Sequence, residues 1–257
     1  QFRALNPAGD TLIHLLSVSP FARQPVIPTD ANVVAHRASI PLFGAGLVEA
    51  IPDETLLGLR DPFDRNGDGV RGRASVVVDL PSGERRVGRF GWKAQHATLL
   101  AFVADAFRNE MGIPSPLLPQ DYAFRLSNEQ MRRCNPKAGA VARKLLDRTA
   151  AFLRSLAPVA RGSSDEVVRG GEHMFSAIGC ATGHVPTLTT RSSANPVFNQ
   201  QAVPLFSDLL LHDIGTGDGI PQANARAEEI RTPALWGLRL GRPLLHDGSA
   251  ATIEGAI

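Results

Sequence analysis

Proline and glycine recur so often along this chain that long regular elements have little room to form. Among its 257 residues are 24 glycines and 19 prolines. Proline breaks the interior of a helix and has no N–H to give to a sheet, while glycine weakens both. The sequence therefore predicts a loop-rich fold that is assembled from short elements.

Four segments carry helical signals. A short helix is predicted over residues 53–59, and apolar residues at helical spacing predict helices over residues 98–110 and 138–156. A further helix is predicted to follow Ser163, because Ser163 and Glu166 have the spacing of a capping box. The apolar residues expected on its buried face are Val167, Val168, Met174 and Phe175.

Two β-rich segments flank a short turn. Residues 75–80 and 85–90 surround Pro-Ser-Gly-Glu, and three consecutive valines favour a strand, so we predict a β-hairpin. With the helices above, the expected fold is mainly α, loop-rich, with this one small hairpin. An Arg-Gly-Ser-Ser linker near residue 161 divides the chain into predicted units of residues 1–160 and 161–257.

The composition excludes several classes of protein. There are 27 basic and 25 acidic side chains, a net charge of +2, which argues against nucleic-acid binding. The sequence contains no run of about 18 apolar residues, so it predicts no transmembrane segment. Two cysteines are too few for a disulfide scaffold. The chain begins at Gln1 and ends in an amphipathic stretch, so we expect it to be part of a longer polypeptide.

The most informative motif is Cys180-Ala-Thr-Gly183-His184. A haem attachment site reads Cys-x-x-Cys-His, and here Gly183 stands at the position of the second cysteine. The motif predicts haem c that is attached through a single thioether to Cys180, with His184 as the iron ligand. Two alternatives are a buried cysteine beside a surface histidine, and a Cys134–Cys180 disulfide in an oxidising compartment.

A second candidate site is an acidic loop. Asp64, Asn66 and Asp68 offer oxygen atoms at alternate positions, and the Val70 carbonyl would add a fourth, as in the first half of an EF-hand. Ser75 replaces the glutamate expected at loop position 12. The loop predicts a Ca²⁺ site, and the alternative is a turn whose side chains bond their own backbone.

Several longer motifs resemble the bacterial di-haem oxidoreductase family, also described as thiol-oxidoreductase-like and related to the di-haem cytochrome c peroxidases. They extend from about residue 37 to the end of the chain. The motifs are residues 42–53, 65–69, 88–95, 208–213 and 245–248, together with the surroundings of Cys180.

The resemblance implies two cytochrome-c-like units with a haem in each. No cysteine precedes Cys134, so the first attachment motif is not expected in this chain. The family's distal iron ligand would lie about 14 residues after His246, beyond Ile257, by the same resemblance. Weaker candidates for a distal ligand within the chain are His212, His246, Met111 and Met174.

The resemblance also assigns roles to other residues. Trp92 would relay electrons between haems, although a core aromatic is the alternative. The backbone carbonyls of Gly241 and Pro243 would contribute to a separate Ca²⁺ site.

These features imply a periplasmic c-type cytochrome that transfers electrons through a haem at Cys180 and His184, with a peroxidase-like activity left open. Its partners would be a redox protein or other subunits of a larger complex. The alternative is a haem-free structural subunit of such a complex, with a scaffold stabilised by calcium.

Overall fold

The computed structural model describes residues 27, 29, 31–119, 129, 142–240 and 243–257. Cys134 and Gly241 lie outside the described residues, so the predicted Cys134–Cys180 disulfide and the Gly241 carbonyl ligand stay predictions. No helix in the described part of the chain is long and apolar enough to cross a membrane.

The α-helices of the described residues are 4 to 13 residues long, so none is much longer than an average helix. The segment predicted at residues 98–110 begins after Thr98, whose hydroxyl accepts the Ala101 N–H, and ends at Gly112 with a φ of 65°. Glycine adopts this left-handed conformation without steric cost. The α-helices of the described residues are α1 (Ala45–Ala50), α2 (Asp53–Leu59), α3 (Leu99–Met111), α4 (Arg143–Ser155), α5 (Glu166–Ala177) and α6 (Cys180–Gly183).

Strands form three antiparallel pairs within the described residues. The predicted hairpin is confirmed: β1 (Val76–Val78) pairs with β2 (Arg85–Val87), with Val76 opposite Val87. Two further pairs follow α6. They are β3 (Leu188–Thr189) with β4 (Ala202–Val203), and β5 (Leu211–Asp213) with β6 (Glu229–Arg231).

The expected mainly α fold is wrong. Helix accounts for about 32% and strand for about 12%, which makes a mixed, loop-rich fold. The difference arises after His184, where residues 188–231 form two strand pairs. These strands are only two or three residues long, too short for the alternation of polar and apolar residues to be recognised.

One hydrophobic cluster draws on most of these elements. Helices α1, α3 and α4 contribute residues such as Val48, Leu99 and Leu146. Leu188 and Leu205, from beyond residue 161, belong to the same cluster. The division into units at residue 160 is not tested by this packing and stays a prediction.

A buried lysine ties a long loop to the hairpin region. The Lys93 side chain is 0% exposed, and its ammonium lies 2.9 Å from Oδ1 of Asp218. The same ammonium donates to the carbonyls of Arg226, Ala227 and Glu229 at 3.1, 3.0 and 2.7 Å. These contacts satisfy a charge that burial would otherwise make costly.

Candidate functional site

Helix α5 leads the chain into the Cys180 motif. It is capped by Asp165, whose carboxylate accepts the Val168 N–H at 2.9 Å. The predicted capping box on Ser163 is therefore wrong, because the cap lies two residues later. Both residue types cap helices well, so the sequence alone did not decide between two starts that are two residues apart.

The apolar face of α5 is exposed rather than buried. No residue of the helix is buried, and Val167, Met174 and Ile178 are 82%, 57% and 65% exposed. Their spacing places these three residues in one stripe with Gly171. The prediction that Val167, Val168, Met174 and Phe175 form a buried face is therefore wrong, because the first three are exposed and Phe175 is only half-buried.

Cys180 begins the one-turn helix α6, directly after this stripe. Gly179 precedes it with a φ of 91°, a left-handed conformation that L side chains rarely adopt. Cys180 is half-buried and forms no disulfide with any described residue. At Gly183 a Cβ atom would meet only the His212 ring, at 4.0 Å. The second-cysteine position therefore has room for a side chain.

His184 is held in a defined orientation. Its Nδ1 atom lies 2.9 Å from the Phe206 carbonyl oxygen. Since a carbonyl only accepts, Nδ1 must carry the proton, which leaves the lone pair of neutral imidazole on Nε2. A hydrogen bond of this kind on one ring nitrogen is the usual support for a histidine that ligates a metal through the other.

Aromatic residues surround the His184 ring. Phe175 of α5 contacts His184 edge-on at 6.3 Å and Phe206 edge-on at 5.8 Å between ring centroids. The Arg161 guanidinium lies over the Phe206 ring, 5.5 Å from its centroid. Together these contacts attach the loop of Phe206 to α5 and to the Cys180 motif.

The predicted alternative ligand His212 lies close to this motif. It is 8% exposed, and its Nε2 atom lies 2.8 Å from the Asp208 carboxylate. The backbone N–H of Asp208 donates to the Gly183 carbonyl at 3.0 Å, so the pair is fixed against the motif. His212 Nε2 is already engaged with a protein partner.

The other candidate distal ligands lie on separate elements. Met111 is 51% exposed at the end of α3, whereas Met174 lies on the exposed stripe of α5. His246 is 4% exposed, and its ring contacts Trp92 edge-on at 6.3 Å. Trp92 is half-buried and donates from its indole N–H to the Ala38 carbonyl at 2.7 Å. Its relay role stays a prediction.

The acidic loop is closed by backbone pairing between Asp61 and Gly72. Inside it, Asp64 accepts the Gly69 N–H at 3.1 Å and Asp68 accepts the Val70 N–H at 2.9 Å. The chain then enters β1, so Ser75 at position 12 lies buried outside the loop. These bonds match the alternative of a self-bonded turn, and the Ca²⁺ site stays a prediction.

No three histidine, cysteine or acidic side chains of the described residues form a group that would hold a metal ion. The second predicted calcium site is only half described, with Pro243 exposed. Iron in haem needs fewer protein ligands, because the porphyrin supplies four nitrogens, so this finding bears on calcium more than on haem.

Sequence reasoning missed the partner of His184. Phe206 lies 22 residues further along the chain, and a backbone carbonyl leaves no residue-type signal. The Asp208–His212 pair does have a signal in the sequence, because an aspartate and a histidine lie four residues apart within the motif at residues 208–213.

The profile of the family described as "Di-haem oxidoreductase, putative peroxidase" matches residues 25–257. No curated protein and no solved structure matches the chain significantly.

Proposed function

Because the chain belongs to the di-haem oxidoreductase family, we propose that it is an extracytoplasmic c-type cytochrome that carries a haem at Cys180 and His184. The proposal covers this site alone and rests on one observation above all. The Phe206 carbonyl holds the Nδ1–H of His184 at 2.9 Å, which presents Nε2 as a ligand.

The surroundings of His184 fit a haem. A porphyrin presents a large apolar face, and burial of such a face drives most of its binding. The exposed stripe of Val167, Met174 and Ile178 lies just before Cys180 and supplies apolar surface that no described residue covers. Exposed apolar surface of this kind commonly marks a binding site.

Cys180 would attach the cofactor covalently. Its thiol would add across a porphyrin vinyl group, with a new C–S bond and the thiol hydrogen passing to the other vinyl carbon. The addition consumes no oxidant or reductant. With Gly183 at the second-cysteine position, only one such bond can form, and the second vinyl group would stay unreacted.

A bound haem would supply one-electron redox chemistry. The protein's own contribution would be to fix the imidazole through the Phe206 carbonyl and to pack the Phe175 ring against it. Trp92 would serve as an electron relay and a redox protein as the partner, both on the strength of the family resemblance.

A pyridine haemochrome spectrum of the chain, produced in the periplasm of a host with a haem-attachment system, tests the proposal. We expect haem absorption that survives acid–acetone extraction in the wild type. The Cys180→Ala variant should release its haem on extraction, while Ser176→Ala, an exposed neighbour on α5, should behave like the wild type.

Two outcomes would contradict the proposal. A colourless wild-type protein that is folded by circular dichroism would favour the haem-free structural subunit. Haem that stays covalently bound in Cys180→Ala would exclude the single thioether at this position.

A further inference from the structure

A second feature is an apolar pocket in the hydrophobic cluster. Aromatic and aliphatic side chains from α1, α3 and the neighbouring loops form the walls of the pocket. Its walls include Leu42, Phe43, Phe90, Phe102 and Trp236, and two arginines, Arg89 and Arg231, also line it.

The two arginines differ in how their charges are balanced. Arg89 forms an ion pair with Asp53 and donates to the carbonyls of Val87, Val48 and Ile51. Its guanidinium therefore has both a carboxylate and a set of acceptors. The charge of Arg89 is therefore balanced within the protein, and a ligand in the pocket is not required to pair with it.

Arg231 is equally buried, at 3% exposed, but lacks such a partner. Its Nε donates to the Gly91 carbonyl and its Nη1 to the Thr232 carbonyl, both at 2.8 Å. A guanidinium has five N–H donors, so three have no hydrogen bond to any described residue. Arg231 forms no ion pair in the described part of the chain.

Asp208 is the acidic residue whose charge acts on Arg231, yet it is engaged elsewhere. Its oxygens accept the Leu210 N–H at 3.0 Å and contact His212 Nε2 at 2.8 Å. Burial lowers the pKa of Arg231 to about 10, and the charge of Asp208 opposes this shift only in part. A buried cation without a hydrogen-bonded anion is costly, and a bound anion would relieve that cost.

We propose that this pocket binds a small monocarboxylate, with its carboxylate on Arg231 and its apolar body against the aromatic wall. A planar carboxylate matches the fork of a guanidinium and can accept two parallel N–H bonds. The apolar walls select an organic acid over a bare inorganic anion, because an anion such as chloride would leave Phe90 and Phe102 without a contact.

Thermal unfolding of the whole chain in the presence of matched ligands tests this inference. The haemochrome spectrum measures the proposed function separately, so the failure of one can be told from the failure of the other. We expect a saturable rise in Tm with sodium propionate and sodium benzoate, as for any ligand that binds the folded state alone. The matched amides, propionamide and benzamide, should give no rise. Sodium chloride at equal ionic strength is the salt control.

Two variants locate the site. Arg231→Gln should weaken benzoate binding at least tenfold. Ala234→Leu, at a half-buried pocket-lining residue, should weaken it similarly by filling the space while the charge stays in place. Quenching of the Trp236 fluorescence by benzoate gives a second readout, and Glu172→Gln on the exposed surface is the control variant.

The inference is overturned if amides raise Tm as much as carboxylates, or if chloride matches benzoate. Unchanged benzoate affinity in Ala234→Leu would also overturn it, and this test stands even if Arg231→Gln does not fold.

Discussion

The Nδ1 atom of His184 and the carbonyl oxygen of Phe206 lie 2.9 Å apart, although 22 residues separate them in the chain. The orientation of the proposed ligand is therefore set by a loop that returns to the motif from the far side of two short strands. This long-range support gives His184 a property that can be tested apart from haem attachment.

His184→Ala should keep covalent haem on Cys180 but lose the axial nitrogen. We expect a changed Soret band and its partial recovery when imidazole is added, because the small ligand can occupy the vacated space. His173→Ala is the matched control, since His173 is exposed on α5. A wild-type spectrum in His184→Ala would exclude His184 as the ligand.

Gly183→Cys should restore a complete Cys-x-x-Cys-His motif. The position is not in the left-handed region, and a Cβ there meets only the His212 ring at 4.0 Å, so we expect the variant to fold. A second thioether should shift the α band of the haemochrome spectrum. The mass of the intact protein should stay that of the chain plus one haem, because the addition of a thiol to a vinyl group loses no atoms. Gly183→Ser, of similar size without a thiol, should keep the wild-type spectrum.

Asp165→Ala should destabilise the entry to the site. Loss of a helix cap costs about 0.5–2 kcal/mol, typically about 1. Ser163→Ala should have no measurable effect, because Asp165 and not Ser163 accepts the Val168 N–H. Urea unfolding of both variants measures the difference, and equal losses would show that the cap is shared.

Asp53 should make stability depend on pH. Burial raises the pKa of Asp53, but Arg89, the Val87 N–H and Arg86 outweigh it and hold that pKa below 3.8. A lowered carboxyl pKa contributes stability above the unfolded-state value, and this contribution is lost as the pH falls through the folded-state value.

At pH 7, Asp53→Ala should lower the free energy of unfolding by about 3–5 kcal/mol, since it leaves Arg89 buried and unpaired.

The pH dependence is tested with Asp53→Asn. The difference in Tm between the wild type and Asp53→Asn should become smaller as the pH falls below about 4. Glu172→Gln breaks an exposed ion pair with Arg161, and should cost at most about 1 kcal/mol. A gap that is constant with pH would contradict the role given to Asp53.

If the acidic loop binds Ca²⁺ as its sequence predicts, addition of CaCl₂ should raise the Tm of the protein. Asp68→Asn should abolish this rise, because Ca²⁺ favours carboxylate ligands. Asp213→Asn is the control, since Asp213 accepts the Gly215 N–H in a similar exposed turn. No rise in the wild type would leave the loop as the self-bonded turn that its hydrogen bonds describe.

The sequence predicted local features well. Helix α3 and the β1–β2 hairpin follow from apolar spacing and turn residues that act within a few positions. The Cys180–His184 motif could also be recognised from the sequence, because its residues are close together in the chain, and the haem that it predicts stays a proposal. Each of these features depends on neighbours in the chain.

Features set by distant contacts could not be predicted in this way. The Phe206 support of His184 and the burial of Arg231 depend on which segments meet in the fold. The periodicity of α5 was recognised correctly, but it predicts only that an apolar face exists. Whether protein, cofactor or solvent meets that face is not encoded in the spacing.

On the proposed function, molecules that have not yet bound haem expose Val167, Met174 and Ile178 to solvent. Exposed apolar surfaces of this kind bind chaperones and proteases and favour aggregation. Haem binding would then also protect the protein from degradation, since only molecules with haem would have the stripe covered.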